Sequence, residues 1–182
     1  MTTVSEAIKK RHSARAFKDR DVDLETVKNI IQIAKQSPSG VNTQPWNVYV
    51  LSGDARDKLV NEATSRYDQG KMDGQEYLVY PKEMPDWYKE RRRAVGWAMY
   101  GAIGIEKGDT EKMMAQGRKN YEFFGAPVGI FITVKNCVGP NGWGHVGHFI
   151  QNVCLLAIEN GLATCLQEAW AELPKLVREH VD

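Results

Sequence analysis

Val128-Gly129-Ile130-Phe131-Ile132-Thr133-Val134 decides the fold. It is apolar at nearly every position, and Gly125-Ala126-Pro127 breaks the chain just before it. A short continuous apolar run of this kind reads as a strand buried on both faces. Downstream, Gly139-Pro140-Asn141-Gly142 reads as a loop. A strongly apolar helix follows, with Val146, Phe149, Ile150, Val153, Cys154, Ala157 and Ile158 on its inner side, and Asn160-Gly161 signals its end. Leu162–Gln167 is apolar enough for a further strand, and Pro174 suits the first turn of a last helix running to Asp182. Upstream, Trp46–Leu51 is rich in β-formers. Thr3-x-x-Glu6 is a capping box for a helix through about Lys10. Asp23 caps the next helix, whose stripe Leu24, Val27, Ile30, Ile31 and Ala34 has helical spacing and which Pro38 and Gly40 must stop. Ser52-Gly53-Asp54 turns into a third helix through about Ser65, and Thr110 caps another to about Phe124. Three strands interleaved with about six helices predict a single α+β (or α/β) domain over residues 1–182.

Composition narrows the function. At 182 residues the chain is long enough to bury a core without disulfides or a structural metal. The 24 Lys+Arg against 23 Asp+Glu leave a net charge of +1, so no net basic field exists to hold nucleic acid or an anionic membrane. No apolar run reaches the length of a membrane span. Met1-Thr2-Thr3-Val4-Ser5-Glu6 lacks the basic stretch and apolar core of a secretory signal. Cys137, Cys154 and Cys165 are odd in number and widely spaced, which predicts a reducing, cytoplasmic setting.

Residues 66–109 differ in character. Tyr77, Tyr80, Trp87, Tyr88, Trp97 and Tyr100 stand among Lys, Glu, Gly and Pro, with Arg91-Arg92-Arg93 between them. One helix around Asp86–Tyr100 is expected and the rest is irregular. A long excursion of this kind predicts a lid, a binding loop or an oligomer arm; the plain alternative is a surface excursion.

Three constellations have the residue types for chemistry. In Arg11-His12-Ser13-Ala14-Arg15, two guanidinium forks and a hydroxyl suit a phosphate, and extended spacing puts Arg11, Ser13 and Arg15 on one side. The alternative is a solvated basic helix end. In Ser37-Pro38-Ser39-Gly40-Val41-Asn42-Thr43-Gln44-Pro45-Trp46, prolines fix the backbone, Gly40 permits close approach, and Asn42 and Gln44 are amide arms able to read a heterocycle edge. The alternative is an ordinary helix-to-strand turn. Leu166-Gln167-Glu168-Ala169-Trp170 follows the last predicted strand, where ligands tend to bind, although Glu168 reads equally as a solvated loop acid. His145-x-x-His148 has no third ligand at metal spacing, so no metal is expected. Phosphate-loop, dinucleotide-fold and serine-elbow signatures are missing.

Four segments, in order, resemble the flavin-dependent nitroreductase family. They are Arg-His-Ser-x-Arg (Arg11–Arg15), Ser-Pro-Ser-Gly-x-Asn-x-Gln-Pro-Trp (Ser37–Trp46), Asn-Tyr-x-Phe-Phe-Gly-Ala-Pro-Val-Gly (Asn120–Gly129) and Gly-Leu-Ala-Thr-Cys-x-Gln-Glu-Ala-Trp (Gly161–Trp170). The resemblance implies a nitroreductase-like α+β fold, a small mixed sheet flanked by helices, and an obligate homodimer with FMN at its interface. It implies ping-pong oxidation of NAD(P)H and reduction of nitroaromatic or quinone acceptors. Carried over, Arg11, His12, Ser13 and Arg15 hold the FMN phosphate, ribityl chain and pyrimidine edge. Pro38, Ser39, Gly40 and Asn42 reach the flavin from the other subunit. Asn120 bonds the pyrimidine, and Leu166, Gln167 and Glu168 lie against the isoalloxazine with a backbone N–H near N5. The chemistry sits on N5 and no catalytic side chain is required, with Glu168 as an orienting residue. Arg15 would stabilise negative charge near N1 and O2 of the reduced ring.

Two departures bear on this. Leu166 stands where the family often has Pro. The chain stops at Asp182, where family members continue into a further strand and tail, so the C-terminal strand and one phosphate anchor are expected to be missing. Two alternatives stay open: the same scaffold with other chemistry (reductive dehalogenation, flavin fragmentation, azoline oxidation), or a truncated flavin-binding relative without turnover.

Overall fold

The computed structural model describes residues 2–181. In chain order the elements are α1 (Val4–Lys10), α2 (Leu24–Ala34), β1 (Trp46–Ser52), α3 (Gly53–Asp68), α4 (Asp86–Ala102), α5 (Thr110–Arg118), β2 (Val128–Val134), α6 (Gly139–Glu159) and α7 (Pro174–Val181). Asp182, the expected end of the last helix, lies outside the described residues. No helix among the described residues is long and apolar enough to cross a membrane. The chain forms two compact units: residues 2–57 with 123–166, and residues 58–122 with 167–181.

The first unit is built on α6. The expected capping box closes α1: Thr3 Oγ1 accepts from the Glu6 N–H at 3.3 Å, and the Glu6 carboxylate accepts from the Thr3 N–H at 2.8 Å. Asp23 caps α2 by accepting from the amides of Glu25 and Thr26. Val27, Ile30 and Ala34 of that helix are buried, whereas Leu24 is exposed. The core cluster joins Ile30 and Ala34 to Trp46 and to Val146, Phe149, Val153 and Ala157 of α6. At its centre the Trp46 and Phe149 rings stack with centroids 4.9 Å apart.

The strands differ from expectation in three ways. β1 and β2 form a two-stranded antiparallel sheet, Trp46 opposite Val134 and Ser52 opposite Val128. The third strand, expected at Leu162–Gln167, is reduced to one parallel bridge between Ser13 and Thr164. Among the described residues that segment pairs only with the short extended run after α1, too little for a ladder. β2 is not buried on both faces: Gly129 is buried, Thr133 is exposed and the rest are half-buried, with β1 as its one strand neighbour among the described residues.

Three helix boundaries also moved. Gly139–Gly142 is not a loop but the first turn of α6. Pro140 is tolerated there because its missing N–H has no helical partner. Asp109, not Thr110, caps α5, and α5 ends at Arg118 rather than Phe124. Phe123 and Phe124 instead adopt φ of +51° and +54°.

The second unit is helical. Leu59, Ala63, Leu173, Leu176 and Val177 are buried, with Ile105 and Gln116. The rings of Tyr67, Tyr121 and Trp170 pack in series, at 5.3 and 5.4 Å. Asp73 ties the irregular segment after α3 to α7: its Oδ2 accepts from the N–H groups of Lys175 and Leu176 at 2.9 and 3.2 Å. Its Oδ1 pairs with Arg66 at 3.3 Å.

Candidate functional site

The Arg11–Arg15 segment leaves α1 in extended conformation, with Arg11 as the C-cap residue. Its backbone is pinned where Ser13 bridges Thr164 and the Ala14 N–H donates to the Thr164 carbonyl at 3.0 Å. His12 bonds back to the Lys10 carbonyl at 3.0 Å through Nδ1. Arg15 is exposed, reaching the Ser13 carbonyl only at 3.5 Å. Neither Arg11 nor Arg15 has a carboxylate within 4.0 Å among the described residues. Two unneutralised guanidiniums within five residues form a donor set suited to a phosphate.

Burial disfavours the thiolate form of both nearby cysteines. Burial pushes the Cys154 thiol up, against the lowering influence of Thr164 and Arg11. Burial likewise raises Cys165, against the charge of Arg15.

The Ser37–Trp46 segment is fastened to α6 by side chains. Ser37 Oγ is buried, donates to the Ala34 carbonyl at 2.6 Å and accepts from Asn152 Nδ2 at 2.6 Å. His148 Nδ1 donates to the Pro38 carbonyl at 3.3 Å. The Gly40 N–H donates to His145 Nε2 at 3.2 Å. A Cβ on Gly40 would lie 3.2 Å from that same nitrogen, so a side chain here would push the imidazole back by a few tenths of an ångström. The two histidines, weighed from sequence as a metal pair, therefore clamp this loop. Their i, i+3 spacing was visible; their loop partners, 105 and 110 residues away, were not.

Beyond the clamp the loop is strained. Val41, Asn42 and Gln44 have φ of +45°, +58° and +44°. For a β-branched residue such as Val41 this conformation costs about 1–3 kcal/mol. Val41 is also 98% exposed. Ser39 Oγ accepts from the Gln44 N–H at 3.0 Å, and Gln44 Nε2 donates to Asn42 Oδ1 at 3.2 Å. Leu166, at the end of the first unit, is exposed.

In the second unit two further candidates meet. Gln167 Nε2 donates to the Asn120 carbonyl at 2.8 Å and lies 3.3 Å from Asn120 Oδ1. Asn120 Nδ2 in turn donates to the Gly117 carbonyl at 2.9 Å. Glu168 is exposed and faces Tyr77 and Tyr80. Burial first, and then the Glu168 charge, raise both phenols. Sequence reasoning did not single out these tyrosines as partners of Glu168, nor Asp73 as the cap of α7.

Comparison with known proteins adds a further line. The model of a family described as the nitroreductase family matches residues 8–181. A 4-nitrobenzoate reductase from Nocardioides sp. (strain LMS-CY) is 34% identical over 177 residues, covering 94% of this chain and 71% of the relative. A nitrobenzene nitroreductase from Ectopseudomonas oleovorans is 31% identical over 181 residues, covering 98% and 79%. The crystal structure of an FMN- and NADPH-dependent nitroreductase, NfnB, from Sphigopyxis sp. strain HMH superposes with a TM-score of 0.93 at 38% identity, covering 98% of this chain and 80% of that one.

Proposed function

The chain belongs to the nitroreductase family, and from that premise we propose that it is an FMN-dependent oxidoreductase reducing nitroaromatic acceptors with NAD(P)H. The observation that carries this reading is the donor set at Arg11–Arg15, two cations without a carboxylate partner among the described residues. That set fits the phosphate of FMN. Bound FMN supplies the redox chemistry, taking hydride equivalents from NAD(P)H and yielding electrons to the acceptor by turns.

The residues do the binding. Arg11, His12, Ser13 and Arg15 hold the phosphate and polar chain. Asn42 and Asn120 offer amide donors and acceptors to the edge of the heterocycle. Pro38, Ser39 and Gly40 present backbone, kept in place by His145 and His148. Leu166, Gln167 and Glu168 bound the ring. Residues 66–109 cover the substrate side. The functional unit is a homodimer in the cytoplasm, a reading supported by the family assignment and by three cysteines that form no disulfide. Quinones are a second acceptor class for the same chemistry.

The test is reconstitution. Purified protein should bind FMN and oxidise NADPH or NADH only when a nitroarene or quinone is added. Arg11→Gln and Arg15→Gln should each weaken FMN about 10- to 100-fold, the worth of a charge-assisted hydrogen bond. Protein that FMN neither binds nor stabilises against heat refutes the assignment.

A further inference from the structure

The loop that carries Pro38, Ser39, Gly40 and Asn42 is tied to α6 by three side chains, and the three ties do not respond alike to acid. Asn152 Nδ2 donates to Ser37 Oγ at 2.6 Å, a bond between two uncharged groups. His148 Nδ1 lies 3.3 Å from the Pro38 carbonyl. A carbonyl only accepts, so this imidazole is the donor, and it remains one when it gains a proton. The Gly40 N–H lies 3.2 Å from His145 Nε2. An amide N–H only donates, so Nε2 must offer its lone pair and the ring must be neutral. A proton on Nε2 would set one N–H against another and delete the bond.

Protons can reach both rings. His145 is half-buried and His148 is exposed. Neither has a carboxylate within 4.0 Å among the described residues. The loop from Ser37 to Gln44 has no ionisable side chain. α6 packs against α1, α2 and β2 and against the turn Asn136–Val138. Within these, β2 carries no acid or base and the turn carries only the exposed Cys137. The acids of α1 and α2, Glu6 and Glu25, are engaged by Thr3 and Lys28. Lys9 and Lys10 complete the charges of α1. Lys35, at the end of α2, lines a cleft with Ser37, Pro38 and Ser39. On α6 itself, His148 follows His145 by one turn.

We propose that His145 is an acid-released latch on the flavin-facing loop. Neutral, it holds the loop tip against α6 and so presents Ser39, Gly40 and Asn42. Protonated, it lets the tip go, and water takes over the exposed Gly40 N–H. The base of the loop stays attached through Asn152 and His148. The released tip is the strained part, since Val41, Asn42 and Gln44 all have positive φ. Cofactor affinity therefore falls as pH drops through the range in which imidazoles change charge, about pH 8 to 5. This rests on the flavin reading and adds a regulation of the same site.

Two measurements test it. Heteronuclear NMR of the full chain, before FMN is added, follows the Gly40 amide and the two imidazoles from about pH 8 to 5.5. The Gly40 amide should move along the titration curve of the His145 ring, while the Ser37 amide stays in place. FMN titrations at the two ends of that range then compare the wild type with His145→Gln, whose side-chain carbonyl accepts a hydrogen bond and does not titrate. The FMN phosphate and the other imidazoles are common to both proteins, so the ratio of their dissociation constants isolates His145. On acidification the wild type should lose about 2- to 10-fold more affinity than His145→Gln, the worth of one hydrogen bond. His145→Phe should share the pH profile of His145→Gln and bind more weakly than the wild type at pH 8. A Gly40 amide that ignores the His145 titration, or equal pH dependence in the wild type and His145→Gln, would each overturn the proposal. If FMN binds at neither pH, the flavin reading fails on its own, and the amide titration still decides whether the latch exists.

Discussion

Replacing Gly129 with alanine tests the packing that joins β2 to the turn before it. A Cβ at this position would sit 2.5 Å from Phe123 Cζ and 2.8 and 2.9 Å from its Cε atoms. Carbon contacts are comfortable at about 3.5–4.0 Å, so the ring would have to retreat by roughly 1 Å. It has little room. Phe123 is 7% exposed, its ring lies edge-on to Phe131 at 5.8 Å, and the Arg56 guanidinium sits 5.9 Å from its centre. Its backbone is already in the left-handed region at φ +51°. Overpacking of this kind costs about 1–3 kcal/mol. Loss of glycine's freedom in the unfolded chain offsets about 0.5–1 kcal/mol. The net destabilisation is then about 0.5–2 kcal/mol, and at roughly 2–4 °C per kcal/mol for a chain of this size Tm should fall by about 1–8 °C. The assay is urea and thermal unfolding of Gly129→Ala, Phe123→Leu and the double variant. The smaller side chain should relieve the clash, so the double variant should be more stable than the two single losses predict, by at least about 0.5 kcal/mol. An unchanged or higher Tm for Gly129→Ala, or strict additivity in the cycle, would refute the reasoning.

Other perturbations have equally definite outcomes. Asp73→Ala removes the α7 cap and the Arg66 pair together and should cost about 1–3 kcal/mol in urea unfolding; Asp73→Asn should restore part of it. The Tyr121 phenol is raised to about 12, chiefly by burial and then by the Glu172 charge and Tyr67. An unfolded tyrosine ionises near pH 10, so the stability linked to Tyr121 is complete below that pH and is lost as pH rises toward 12, by about 2–3 kcal/mol. Tyr121→Phe should lose the hydrogen bond to the Ala169 carbonyl and show a shallower alkaline fall when unfolding is followed from about pH 9 to 12. His145→Phe deletes the acceptor for the Gly40 N–H and should weaken FMN about 2- to 10-fold at unchanged far-UV dichroism, since one such bond is worth about 0.5–1.5 kcal/mol. Equal FMN affinity in wild type and variant would show that the clamp does not order the flavin-facing loop.

The parts of the fold readable from sequence were those set by local chemistry. Thr3 and Glu6, Asp23, and Pro174 carry their capping or first-turn roles in their own side chains, and each works where expected. The α6 stripe was readable because Val146, Phe149, Val153 and Ala157 repeat at helical spacing, and all are buried. The failures share a different cause. Gly139–Gly142 has loop composition, yet Pro140 falls in the first helical turn, and a Cβ on the buried Gly142 would sit 2.7 Å from Val138 Cγ1. Phe123 and Phe124 carry no local signal for positive φ, and both are buried. Leu162–Gln167 had strand character but met too short a partner. At the candidate site the motif residues were legible one segment at a time. What sequence could not give was what holds them: His145 and His148 on Gly40 and Pro38, or Gln167 on Asn120, are pairings 47 to 110 positions apart.

The Gly40 clamp has a consequence for amide exchange. Gly40 is on an exposed turn, where an N–H would ordinarily trade its proton with water almost freely. Here that N–H is held by an imidazole on α6, 105 positions along the chain. Its protection therefore reports the integrity of α6 around His145 rather than the rigidity of the turn. An isotope label at this one amide would follow the opening of the long helix, and would do so from a loop that, by its own surface exposure, looks as if it had nothing to report.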